Sequence, residues 1–97
     1  MSVYIALVRF TEKGIARVKE SPKRLDEAKE LLADMGGKFL HFYMTMGDYD
    51  MVAVYEAPDD ACAARFTLAL GAAGNIRTTT MKAFPENAYR EIIASLP

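Results

Sequence analysis

The chain has 97 residues, 52% of them hydrophobic and 26% charged, with a formal net charge of −1. That length holds one domain, residues 1–97, able to fold without disulfide or metal staples. The near-neutral charge argues against a general nucleic-acid binder, which needs a basic footprint, and no apolar run approaches the ~20 residues of a membrane helix.

Val3 to Phe10 is rich in β-branched, aliphatic and aromatic residues and predicts a strand. Thr11 can cap a short helical segment that follows, although Gly14 weakens it. Ser21-Pro22 predicts a helix start, with Ser21 as N-cap and Pro22 at the first helical position. Leu25, Ala28, Leu32 and Met35 then fall on one helix face, and Gly36-Gly37 supplies the stop. Lys38 to Met46 and Tyr49 to Ala57 predict two strands joined by a two-residue turn at Gly47-Asp48. Asp59 and Asp60 mark the positive N-terminal end of a second helix. Its face is Cys62, Phe66, Ala69, Leu70 and Ala73, and its alanines predict close approach to whatever it covers. Asn75 to Phe84 predicts a fourth strand. A last helix after Pro85 carries Tyr89, Ile92, Ile93 and Leu96 on one side.

This order is α+β, the ferredoxin-like βαββαβ pattern plus a C-terminal helix. Right-handed crossovers give a four-stranded antiparallel sheet of order 4-1-3-2 with two helices on one face. A two-residue turn pairs Met46 with Tyr49, Met44 with Met51, Phe42 with Ala53 and Leu40 with Tyr55. The alternate face then carries Phe39, His41, Tyr43 and Thr45 with Asp50, Val52, Val54 and Glu56. Both faces are substantially apolar, as are both sides of the first strand, and a sheet apolar on both sides is buried on both. The second cover must come from another chain or from the last helix, and the expectation is another copy of the chain, making a homodimer or a higher oligomer built on dimers. The last helix docks either on its own subunit or on that partner.

The segment Tyr43-x-Thr45-x-Gly47-Asp48-Tyr49-Asp50, with Val52-Ala53-Val54 and Ala57-Pro58-Asp59 after it, resembles the GYD domain family. Thr11 to Ile15, Ser21 to Arg24, Gly74 to Thr78 and Ala83-Phe84 are similar to it as well. The resemblance implies a chain of the dimeric α/β-barrel type. It brings no catalytic residues to carry over.

His41, Tyr43, Thr45 and Asp50 share one strand face on this register. His41, the only histidine, is the best candidate for proton transfer, with Asp50 orienting it. The competing reading makes His41 structural and has Asp50 accept backbone N–H bonds at the turn beside Asp48 and Tyr49. Arg77, Lys82 and Arg9 are strand cations that hold an anionic ligand if they point into a cavity, or guard a sheet edge if they do not. Met44, Met46, Met51 and Met81 line an adaptable pocket or pack in a core or interface. Cys62 cannot form an internal disulfide and reads as buried and inert, despite its place in the first turn of a helix. No metal-ligand spacing, phosphate loop or nucleophile elbow is present, so no metal or cofactor is expected.

The function these residues point to is a homo-oligomeric small-molecule-binding or regulatory module, its ligand a small apolar or anionic molecule, with His41, Tyr43, Thr45, Tyr49, Asp50 and Arg77 as contacts. A cofactor-free monooxygenase or isomerase, and a purely structural assembly protein, are the alternatives. Met1 to Tyr4 opens no export leader, and one cysteine with six methionines suits a reducing compartment, so the expected location is the cytoplasm.

Overall fold

A computed structural model describes all residues 1–97. The elements run β1 (Ser2–Phe10), α1 (Glu12–Ala16), a 3₁₀ turn (Val18–Glu20), α2 (Ser21–Asp34), β2 (Lys38–Met44), β3 (Met51–Ala57), α3 (Asp60–Ala72), β4 (Ile76–Ala83) and α4 (Glu86–Ala94). The strands form one sheet in the order β2-β3-β1-β4, which is the expected 4-1-3-2 arrangement, and every pairing is antiparallel.

The core lies between the sheet and the helices. Tyr4, Ala6 and Val8 of β1 and Met51, Ala53, Tyr55 and Ala57 of β3 alternate inward, and Leu32, Cys62, Ala63 and Phe66 come down from α2 and α3. Tyr55 stacks on Tyr4 at 5.5 Å and meets Phe66 edge-on at 5.3 Å, an arrangement that suits the ring quadrupoles. Asp59 caps α3 by accepting the Cys62 N–H at 2.8 Å. Gly36, at φ +90°, ends α2 as expected.

Four local expectations are corrected. Ser21 is already helical and does not cap α2. The 3₁₀ turn feeds straight into the helix, leaving Glu20 at the cap position with its carboxylate paired to Arg17 and making no capping bond to the helix backbone. Arg24 secures this junction instead, donating to the carbonyls of Arg17 and Gly14 at 3.2 Å each. In β2 a bulge at Leu40 pairs Phe39, not Leu40, with Tyr55. Phe39 thereby turns to the core face and packs on Tyr55 and Phe66, which is the burial that favours the bulge. The hairpin does not make a two-residue turn. Its ladder closes at the Thr45 N–H to Asp50 C=O bond (2.8 Å), leaving a wider tip around Gly47 at φ +129°. Finally, α3 does not close down along its whole length, because Ala69 and Ala73 line an open cleft.

Gly14 turns out to be a contact requirement. Thr11 caps α1 by accepting the Gly14 N–H, and donates its own hydroxyl proton to the Gly74 carbonyl at 2.6 Å. The α1 backbone is thus pressed on the loop before β4, where a Cβ on Gly14 would lie 1.9 Å from the Asn75 oxygen. Gly14→Ala is expected to force that loop apart and destabilise the fold by at least the ~1–3 kcal/mol typical of overpacking. A thermal melt compared with Ala16→Gly, which only loosens the same helix, checks the assignment.

Candidate functional site

The sheet face away from the helices is open. Strand register places two rows across it: His41, Val54, Ile5 and Met81, then Tyr43, Val52, Leu7 and Thr79. Val3, Ile5, Leu7, Val52 and Val54 are only half-buried, and Met81 is 42% exposed. The central strands thus offer a continuous aliphatic strip, flanked by His41 and Tyr43 on one side.

The same face carries most of the residues expected to act together, but spreads them out. The His41 and Tyr43 rings stack with centroids 6.3 Å apart, and the His41 imidazole makes no hydrogen bond within the chain. Asp50, just before β3, lies four residues from Val54, the strand partner of His41. That spacing is about 13 Å at the strand rise, beyond direct reach. The Asp50 carboxylate is engaged elsewhere, accepting the Phe10 N–H at 2.9 Å. The Thr45 hydroxyl donates to the Tyr49 carbonyl at 2.6 Å and shapes the hairpin tip. Tyr49 lies under the Arg9 guanidinium (4.6 Å), whose Nε donates to the Asp48 carbonyl at 2.8 Å. Arg77, on the edge strand, reaches around to α3 beside Gly71. The four methionines also separate: Met51 is buried, Met44 and Met46 are 77% and 94% exposed, and Met81 is on the open face.

The helix-side face holds a second feature. α2 and α3 diverge above it and leave a cleft of about 260 Å³, floored by Phe42, Ala53 and Ala6. Cys62 is buried in the core, its thiol donating to the Met35 carbonyl at 3.5 Å. No group of three or more His, Cys, Asp or Glu side chains is placed to hold a metal ion, and no helix is long and apolar enough to cross a membrane.

A model of the GYD domain matches residues 4–93, from β1 into α4 and through the Gly47 to Asp50 hairpin. The chain belongs to the GYD domain family. This GYD chain is also 36% identical, over 86 residues, to a Thermus thermophilus protein described as a glutamine synthetase and cystathionine beta-lyase binding protein, covering 88% of this chain and 90% of the relative. No solved structure matches it.

One polar cluster of the GYD chain escaped sequence reasoning. The Tyr4 hydroxyl donates to the Asp60 carboxylate at 2.5 Å, and Lys82 pairs with the same carboxylate at 3.1 Å. These residues stand on three elements up to 78 positions apart, so no local motif announces them. Burial, and then the hydrogen bond to Asp60, push the Tyr4 hydroxyl up to about 12. The bonds from Tyr4 and then Lys82 hold the Asp60 carboxyl below its ordinary value. The signs give two limbs. Asp60 stabilises the fold above the ordinary carboxyl range near ~4 and loses that effect as pH falls through its lowered value. Tyr4 stabilises it fully below ~10 and loses that effect as pH rises toward about 12. Melting temperature is therefore expected to drop at both extremes. Tyr4→Phe should flatten the alkaline limb, and an unchanged limb would remove Tyr4 from its cause.

Proposed function

We propose that this GYD chain is a homo-oligomeric binding and regulatory module whose working surface is the open sheet face, and whose partner is an enzyme. The half-buried aliphatic strip of β1 and β3, on the side of the sheet that no helix covers, supports this reading above all. Only 12 of 97 residues are buried in the single chain, too few for a sequence that is 52% hydrophobic to be complete by itself. A contiguous apolar sheet face of this kind is an association site. Two copies meeting sheet to sheet would cover the strip and bring the His41 and Tyr43 stacks to the edge of the interface. α4 supports the same reading. It buries no residue on its own chain, and Tyr89, Ile92, Ile93 and Leu96 are 45–62% exposed, so a partner is the docking surface that remains for it.

The named interactions of the Thermus thermophilus relative supply the enzyme partner. Glutamine synthetase and cystathionine beta-lyase are the two to try, with a small molecule as the natural regulator of such binding. The cofactor-free enzyme reading gains nothing from the geometry, since no carboxylate reaches His41 and Asp50 is committed to the β1 backbone. The test is sedimentation of the purified chain, alone and with each enzyme from its own host. An oligomer of the ~11 kDa chain that co-sediments with one enzyme is the expected result. A monomer that binds neither overturns the proposal.

A further inference from the structure

The cleft between α2 and α3 is kept open by small side chains at the positions where the helices would otherwise meet the sheet. Ala6 and Ala53 are direct cross-strand partners at the centre of its floor. Ala28 faces it from α2, and Ala69 and Ala73 from α3. Central-strand positions usually carry large β-branched or aromatic residues, so two paired alanines there leave space. The space is about 260 Å³, whereas an apolar cavity of roughly 150 Å³ is already enough to take up benzene.

The walls say what would fill it. Phe39, Phe42 and Phe66 present ring edges and faces, and Phe39 and Phe66 stand at 90° to each other, a geometry that accepts a further ring. The charges at the rim argue against an anion. Arg24 is the one cation lining the cleft, and both of its terminal nitrogens are engaged by the carbonyls of Arg17 and Gly14. Glu27 adds a carboxylate with no ion-pair partner. Ser21 and Asn75 complete the rim with side chains that make no hydrogen bond within the chain, so one polar group of a ligand has partners there.

We infer that this cleft binds an uncharged molecule of one or two fused rings, apolar over most of its surface and carrying one hydrogen-bonding group. The inference rests on the regulatory reading above for its biological sense. It adds a ligand site on the side of the sheet opposite to the proposed association face.

The test uses the full chain and 2-naphthol, followed by naphthol fluorescence and by calorimetry. Saturable binding at one naphthol per chain is expected. Ala28→Phe and Ala69→Phe, which fill the cleft from two different helices, should each weaken it at least tenfold while the melting temperature holds or rises. The anion 2-naphthoate should bind at least tenfold more weakly than naphthol. Absence of saturable binding overturns the inference, as does equal affinity in both filled variants. Naphthoate binding as tightly as naphthol overturns the uncharged class. Binding that appears only after removal of residues 86–97 would place α4 of a second copy in the cleft and overturns it as well. Neither filled variant touches the open sheet face, so co-sedimentation with the enzymes should be unchanged in both, and failure of that reading would be seen separately.

Discussion

Val54→Asp is expected to dissociate the oligomer and leave the chain folded. Val54 sits at the centre of the open face, with His41 on one flanking strand and Ile5 on the other. In the single chain its side chain is half-buried but faces the open side of the sheet, so a carboxylate there keeps water on that side and costs little beyond the ~1 kcal/mol range of β-propensity. In a sheet-to-sheet interface the same carboxylate is trapped without a partner. An unpaired buried charge costs about 3–5 kcal/mol, and a twofold interface carries the change twice. A dissociation constant raised by more than ~1,000-fold follows from those energies at ~1.4 kcal/mol per factor of ten. Sedimentation across a concentration series measures it, with far-UV circular dichroism confirming the fold. Leu68→Asp is the control, because Leu68 is 71% exposed on α3, away from the open face. Should Val54→Asp and wild type sediment alike, the open face is not where copies meet.

Phe66→Ala is expected to be the most damaging single core change. Phe66 is 2% exposed and joins α3 to both Tyr55 and Phe39 through edge contacts. Truncating a buried Phe costs about 3–5 kcal/mol, from lost transfer energy and the cavity left behind. A small domain has only about 5–15 kcal/mol in total, so a drop in melting temperature above ~10 °C follows. The comparison must be made at one protein concentration, since assembly contributes to apparent stability. Tyr55→Phe at the adjoining position should do the reverse of damage. The Tyr55 hydroxyl is fully buried and makes no well-formed hydrogen bond, although Thr67 stands near it, and burial pushes its pKa up. Removing an unsatisfied buried hydroxyl without changing ring packing is neutral or stabilising. A melting temperature lowered by several degrees in Tyr55→Phe would mean that the hydroxyl has a partner after all.

The element order, the sheet order and most of the core were legible in the sequence. Local signals determine them: the apolar, β-branched and aromatic runs of β1 and β3, the Leu25 to Met35 stripe, the acids at the start of α3 and the Gly36 stop all act within one or two turns of chain. The family resemblance was legible for a similar reason, since the Gly47 to Asp50 segment and its neighbours are contiguous. The Leu40 bulge was not, because only burial of Phe39 against Tyr55 and Phe66 favours it over regular pairing. The two-residue turn failed for the same kind of reason. Contacts with the far end of β1, through Arg9 and the Phe10 N–H, hold Tyr49 and Asp50 away from it.

The candidate site divides along that line. The sequence by itself determined that the sheet has two apolar faces, because side-chain alternation is a property of the strand alone; that the last helix leaves the second face open was decided by the tertiary structure. Only the tertiary structure decided that His41 and Asp50 stand apart, that Tyr4, Asp60 and Lys82 come together, and that α2 and α3 leave a cleft over Ala6 and Ala53. Each of those depends on where helices land on a sheet, which is set by the summed packing of many side chains far apart in the chain rather than by any one segment.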